Sequence, residues 1–247
     1  MGPFAKTVEK HPKLNPYPKV NLEELRNRLY ELADPNFSAR LSGFGIDNSK
    51  ALGIRTPVLK ALAKEIGKSN GLALEAWAEP EHEMTLMAIF IAEGKTLPKA
   101  SLEKWVKESY SWDLVDQACT KVYQRHPEAW ELAFEWAARE PEYERRAGLV
   151  LMTAIAIHHK KRPDASLWPF FEEVHRYACD PRNFVKKANN WLLRTLGKRS
   201  LSLHPKAIEL AQALLEMECP AAKWTARDAL RELQSDKIQE RLRKKGT

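Results

Sequence analysis

The sequence contains only three cysteines and no apolar run long enough to cross a membrane. Cys119, Cys179 and Cys219 stand far apart, so we expect neither a disulfide framework nor a zinc cluster, and each thiol is predicted to fill a small apolar site in the core. The longest apolar run, residues 147–157, falls short of the roughly 20 residues that a membrane span requires. The N-terminus shows no signal-peptide pattern. These absences predict a cytoplasmic protein that does not contact membranes.

Metal-ligand spacings are also scarce. His158 and His159 are adjacent, but they precede Lys160, Lys161 and Arg162 where a helix is predicted to end. Cations at that position are favoured by the helix dipole, so the two histidines need no metal to explain them. We expect neither a metal nor another cofactor.

Acidic residues are few in the last quarter of the chain. Residues 181–247 hold 15 Lys and Arg against 7 Asp and Glu, whereas the whole protein has a net charge of +7 and a pI of about 9.2. A localised basic surface indicates a polyanionic partner, most often nucleic acid. A solvated basic tail at residues 241–245 explains only part of this excess.

No segment of the chain predicts a convincing strand. From Asn21 onward the apolar residues have helical spacing, and Pro, Gly or Asp-Pro interrupts them. Asn21 begins a capping box, Asp34-Pro35 starts a second helix, and Thr56-Pro57 places Thr at the N-cap of a third. Further helices are predicted at residues 72–78, 82–93, 98–109, 112–125, 127–139, 141–160, 165–178, 181–197, 203–217, 221–234 and 236–244. Residues 1–20, with four prolines, are predicted to form an extended arm before a single domain at 21–247.

A weak internal repeat suggests how these helices are arranged. Arg146-Ala147, Lys187-Ala188 and Ala226 with Leu230 recur at intervals near 40 residues, each in a helix that follows a proline. One helical hairpin per 40 residues is typical of HEAT-like repeats. The fold class predicted is therefore an all-α, HEAT-like repeat solenoid of antiparallel helix pairs with a concave basic face.

The segment at residues 109–116, Ser-Tyr-Ser-Trp-Asp-Leu-Val-Asp, is the most specific in the chain. Ser111 is a good N-cap, so Trp112 and Asp116 lie four residues apart on one face of the new helix. The simpler interpretation is that Trp112 packs in the core and that Asp113 or Asp116 is favoured by the helix N-terminus.

A second tryptophan lies among cations at residues 184–198. Trp191 belongs to a helix whose polar side carries Lys187, Arg194 and Lys198, and an aromatic ring beside cations is typical of nucleic-acid contacts. Arg145 and Arg146 supply cations one repeat earlier. About half of such cations are expected to be ordinary solvated charges.

These segments together resemble the AlkD-like DNA alkylation repair family of helical-repeat glycosylases. The resemblance covers about residues 21–235 and includes Leu52-Gly-Ile-Arg-Thr-Pro57. It implies that Asp116 is the catalytic carboxylate, that Trp112 and Trp191 are aromatic walls, and that Arg146 contacts the active site and a phosphate. The remaining DNA-binding residues that we predict are Arg145, Lys187, Arg194, Lys198 and Arg199. The chain departs from the family at Ala154, where a Lys is frequent, and no family-like aromatic is evident in residues 41–50.

The resemblance implies excision of positively charged N3- and N7-alkylated purines from duplex DNA by a monomeric hydrolase. Such a base already carries a positive charge and leaves without protonation, so the enzyme has to stabilise the cationic sugar. Two alternatives remain open. One is a non-catalytic relative that binds branched or damaged DNA, and the other is a HEAT-type scaffold that binds a protein partner.

Overall fold

Every regular element is a helix in the computed structural model, which describes residues 20–246. The α-helices are α1 (Leu22–Glu31), α2 (Pro35–Leu41), α3 (Thr56–Ile66), α4 (Asn70–Trp77), α5 (His82–Ile91), α6 (Lys99–Glu108), α7 (Trp112–Lys121), α8 (Ala129–Ala137), α9 (Glu142–His158), α10 (Trp168–Arg176), α11 (Asn183–Arg199), α12 (His204–Glu216), α13 (Pro220–Leu233) and α14 (Asp236–Gly246). The all-α prediction is confirmed. The predicted arm at residues 1–20 lies outside the described residues, apart from Val20.

The helices begin where local capping predicts, with small differences. Asn21 accepts a hydrogen bond at Oδ1 from the Glu24 amide over 2.8 Å, and Asp34 accepts from the amides of Asn36 and Phe37. These contacts satisfy amides that have no partner within the helix. The third helix begins at Thr56 itself, so Arg55 is its N-cap residue instead of the predicted Thr56.

Helices α5, α7, α9, α11 and α13 form what we call the central row, in which each helix packs against the next. Helices α4, α8, α10 and α12 each pack against the central-row helix that follows them in the chain, which gives a stack of helical hairpins. A helix of the central row is covered on several sides, so its apolar residues surround the axis instead of forming one stripe. In α5 every residue is buried, and in α9 every residue from Arg146 to Ala156 is buried. Among residues 20–246, no helix is both long and apolar enough to span a bilayer.

The segment at residues 52–57 is held by a buried carboxylate. Glu83, in the first turn of α5, accepts hydrogen bonds from the amides of Leu52, Gly53 and Ile54. Gly53 has a φ of 83°, and a Cβ there would lie 2.1 Å from the Asp34 carbonyl oxygen, so only glycine fits. The motif seen in the sequence therefore anchors the first helices to the central row.

The structure corrects the prediction for two of the three cysteines. Cys119 is buried in α7 as expected, but Cys179 and Cys219 form a disulfide with a Cα–Cα distance of 5.5 Å. The two residues are 40 positions apart, which is one repeat, so equivalent turns of neighbouring hairpins come together. Sequence spacing alone could not show this approach, because it depends on how the hairpins stack.

A thiol titration would test the disulfide. We expect the denatured, unreduced protein to react with one equivalent of a thiol reagent, through Cys119, and the reduced protein to react with three. The variant Cys179→Ser should then show two reactive thiols before reduction. Three equivalents from fresh, unreduced wild-type protein would contradict the pairing.

Candidate active site

An ion pair between two neighbouring helices of the central row forms the centre of the candidate site. Asp116 on α7 accepts two hydrogen bonds from Arg146 on α9, from Nε to Oδ1 over 3.0 Å and from Nη2 to Oδ2 over 2.9 Å. The third guanidinium nitrogen, Nη1, donates to the carbonyl oxygen of Phe184 on α11 over 2.6 Å. This bidentate geometry fixes both the orientation and the position of the Asp116 carboxylate.

The environment of Asp116 favours its neutral form more than water does. Burial raises the pKa of Asp116, and the charge and hydrogen bonds of Arg146 oppose that rise without cancelling it. The Asp116 side chain is still 16% exposed, whereas that of Arg146 is 6% exposed. A carboxylate interacts most strongly with an approaching cation when it is largely desolvated but can still be reached from solvent.

Trp112 lies on the same helix, four residues before Asp116, and is half-buried. Its indole Nε1 donates to the carbonyl oxygen of Phe44 over 2.9 Å, which ties α7 to the 3-10 turn at Ser42–Phe44. Phe44 is 58% exposed. An aromatic residue therefore does stand next to the site within residues 41–50, where the sequence showed none that was evident.

The start of α7 is fixed by a second polar cluster beneath the site. His82 on α5 is buried and contacts Asp113 through Nε2 and the Tyr110 hydroxyl through Nδ1, each over 2.9 Å. Ser111 occupies the predicted N-cap position, but its hydroxyl donates to Asp113 instead of accepting from a backbone amide. Burial raises the pKa of Asp113, but hydrogen bonds and charge from His82, with the Ser111 hydroxyl, outweigh burial and lower it. Asp113 is thereby a structural anion, distinct from Asp116.

Phe184, in the first turn of α11, is a residue that sequence reasoning missed. Its carbonyl oxygen receives Arg146, its amide donates to Glu142, and its ring lies 5.7 Å from that of Tyr143. A Cβ added to Gly45 would lie 3.2 Å from the Phe184 ring, so the turn after Phe44 touches Phe184 closely. The only available signal was that Phe184 is seven residues before Trp191, which places both on one face of a helix.

Trp191 lies farther along α11 than Phe184, by two helical turns or about 10 Å. It is half-buried and lines a cleft of about 940 Å³ with Ile157, Lys160, Lys198 and Arg241. The structure thus brings Asp116, Arg146 and Trp112 together. Trp191 lines the cleft beside the C-terminal end of α9.

Most of the predicted DNA-binding cations have partners within the protein. Arg145 pairs with Asp180 and Glu140, and Arg194 and Lys198 both pair with Glu232.

The other two predicted DNA-binding cations differ from each other. Arg199 pairs with Asp164 and donates to the carbonyl of Ala156, which caps the C-terminus of α9. Lys187 is exposed. Repeat periodicity located these cations on the helices, but it could not show which acids they would meet.

We compared the chain with known protein families, curated proteins and solved structures. The sequence model of the family described as "DNA alkylation repair enzyme" matches residues 25–233. No curated protein matches the chain. Among solved structures, one described as a new family of proteins related to the HEAT-like repeat DNA glycosylases, with affinity for branched DNA structures, has a TM-score of 0.75 and 19% identity, covering 90% of this chain and 96% of that one.

A second solved structure is similar over a shorter stretch. It is a predicted DNA alkylation repair enzyme from Enterococcus faecalis, with a TM-score of 0.56 and 18% identity, covering 78% of this chain and 94% of that one. The likeness to both structures shows the HEAT-like repeat fold. The family match spans most of the chain and includes Trp112, Asp116, Arg146 and Trp191, so the chain belongs to the DNA alkylation repair enzyme family.

Proposed function

We propose that the protein is a DNA glycosylase that hydrolyses the N-glycosidic bond of cationic N3- and N7-alkylated purines in duplex DNA. The observation that carries this proposal is the Asp116 carboxylate, which is desolvated, held by Arg146 and accessible beside Trp112. A fixed carboxylate in a site of low polarity stabilises a developing positive charge without having to reorganise.

Release of the base and formation of the sugar cation need different kinds of help from the enzyme. An alkylated purine is already cationic, so no general acid is needed to release it, and the positive charge that develops on the sugar is what needs stabilisation. Each 1.36 kcal/mol of stabilisation corresponds to about tenfold in rate. Asp116 would face the sugar cation and orient the attacking water, and the Trp112 ring would pack against the deoxyribose.

For Arg146 we propose a role other than the phosphate contact that the family resemblance implied. It is buried, and its Nε, Nη1 and Nη2 atoms all donate to atoms of the protein. We therefore assign Arg146 as a positioning residue that holds Asp116 and the N-terminal turn of α11 together. Phosphate contacts would then come from other cations.

The direct test is release of free base from methylated duplex DNA. We expect purified protein to release 3-methyladenine and 7-methylguanine, detected by chromatography, and to leave the neutral base uracil in place in a matched duplex. Absence of any released methylated purine, from protein that is folded and binds the duplex, would refute the proposal.

The raised pKa of Asp116 predicts how excision depends on pH. Only the ionised carboxylate stabilises the sugar cation, and a raised pKa means that protonation begins nearer to neutral pH than for an ordinary Asp. Single-turnover excision should therefore fall on the acid side at a pH above 3.8, the ordinary value for Asp. Spontaneous depurination in acid must be subtracted with enzyme-free DNA. A flat profile down to the ordinary Asp value would contradict an ionised Asp116 as the active form.

The second candidate function is binding of branched DNA without catalysis. The structure with a TM-score of 0.75 is described as having affinity for branched DNA, and in this chain both oxygens of Asp116 are already bonded to Arg146. Tighter binding to a four-way junction than to a duplex, without base release, would favour this function. A protein scaffold receives no such support.

A further inference from the structure

Several cations lie near the C-terminal ends of the central-row helices, on the side away from Asp116 and Arg146. Lys121 is the last residue of α7, Arg125 ends the 3-10 turn that follows, and Lys160 comes two residues after α9. The ammonium group of Lys60 lies 5.5 Å from the centre of the Phe90 ring, in the last turn of α5. Arg241 on α14 lines the same cleft as Lys160. We call Lys60, Lys121, Arg125, Lys160 and Arg241 the cationic band.

Neighbouring members of the cationic band are close enough to repel one another. The pKa of Lys60 is lowered by burial and then by the charge of Lys121. The pKa of His158, the last residue of α9, is lowered by burial and then by the charges of Lys121, His159, Arg125 and Lys160. Cations that come from separate helices therefore share one surface.

The members of the cationic band have no acidic partner among the described residues, unlike most of the DNA-binding cations that the sequence predicted. Within residues 20–246, none of its five members forms an ion pair, whereas Arg139, Arg145 and Arg182 each pair with at least one carboxylate. The helix dipole favours a cation at each C-terminus, but it does not account for several that repel each other. Unpaired like charges held together cost stability, and an anionic ligand offsets that cost.

The dimensions of the cationic band suit one DNA strand. It crosses about three helix-to-helix steps of roughly 8–10 Å, or about 30 Å in total. The phosphates of one strand repeat about every 3.4 Å along the duplex axis, so the length of the band corresponds to about nine of them. Along α9, the distance from Arg146 to His158 is twelve residues, or about 18 Å. That distance is of the order of the separation between two backbones across the major groove, which is about 12 Å wide between phosphate surfaces.

We propose that the cationic band binds the phosphates of the DNA strand opposite to the strand whose damaged nucleotide lies at Asp116. The assignment of strands rests on the proposed function, because Asp116 fixes which strand carries the damaged base. The binding of phosphates does not rest on it. One edge of the central row then serves the chemistry, and the other edge holds the duplex in register.

Salt dependence of duplex binding tests the band. The variant with Lys121→Gln, Arg125→Gln and Lys160→Gln removes three of its charges from exposed or half-exposed positions. For a 20-base-pair unmodified duplex, each lost contact should lower the slope of log K against log salt by about 0.9, and affinity at 0.1 M salt should fall on the order of 100-fold. Lys104→Gln, Lys107→Gln and Lys206→Gln, on α6 and α12, remove the same charge and should leave the slope unchanged. The conservative change Lys121→Arg should retain wild-type binding.

Neutral backbone linkages test which strand is bound. We would use a duplex with one stable abasic analogue to set the register, and replace phosphates by methylphosphonates on either strand. Neutralising the strand opposite the analogue should remove the difference in affinity between wild type and the band variant. Neutralising the strand that contains the analogue should preserve the difference.

The outcomes separate this proposal from the glycosylase proposal. If the salt slope of the band variant were unchanged, or if the control variant lost as much slope, the proposal that the band binds phosphates would be overturned. Loss of the difference only when the analogue's own strand is neutralised would overturn the strand assignment. A protein that releases no methylated base, but whose band variant shows the reduced slope, would refute the glycosylase and keep the band.

Discussion

Replacing Asp116 by Asn is expected to lower excision of methylated purines by at least about 100-fold while duplex binding is retained. The amide has nearly the shape of the carboxylate but carries no charge, so the cationic sugar loses its electrostatic partner. Excision should be measured under single-turnover conditions, which report the chemical step instead of product release. Duplex affinity of the same preparation should be measured alongside.

The control for this variant breaks an ion pair elsewhere in the fold. Asp116→Asn leaves Arg146 without a charged partner, and breaking a buried pair destabilises the fold. Glu103→Gln removes one of three carboxylates that pair with Arg139, where the side chains of Glu103 and Arg139 are 21% and 20% exposed. Because two acidic partners of Arg139 remain, this change should cost less stability than Asp116→Asn, and it should leave excision unchanged. Near-wild-type excision by Asp116→Asn would remove Asp116 from the mechanism.

Replacing Gly148 by Ala should destabilise the fold by at least about 3 kcal/mol, although alanine is the better helix former. A Cβ on Gly148 would lie 2.1 Å from the Ala137 nitrogen and 2.7 Å from the Ala133 carbonyl oxygen, so α8 and α9 would have to separate. Because α9 is buried along this stretch, neither helix can move without disturbing a further neighbour. The midpoint of denaturant unfolding measures the change.

Gly71 supplies the matched control for this substitution. It lies in α4, and no atom comes within 4 Å of an added Cβ. Gly71→Ala should therefore be neutral or stabilise the protein by up to about 1 kcal/mol, through helix propensity and lower entropy of the unfolded chain. Equal effects at the two glycines would show that close approach of α8 and α9 is not what requires Gly148.

The comparison of Trp112 with Trp191 shows which contacts a local sequence pattern can predict. Trp112 and Asp116 are four residues apart on one helix, so their common face followed from helical spacing alone. Trp191 belongs to another repeat, and its distance from Asp116 depends on how the helices stack. The structure places the Phe184 backbone at the Asp116–Arg146 pair, and Trp191 lines the cleft beside the C-terminal end of α9.

The sequence by itself determined the helices, their approximate ends and the approach of Trp112 to Asp116, because capping and helical spacing act over a few residues. Only the tertiary structure decided that Cys179 meets Cys219, that Arg146 holds Asp116, and that Arg194 faces Glu232. It also decided that the members of the cationic band, which come from separate parts of the chain, share one surface. Contacts between repeats depend on helix packing distances and angles, and residues some 30 to 40 positions apart carry no local signal of them.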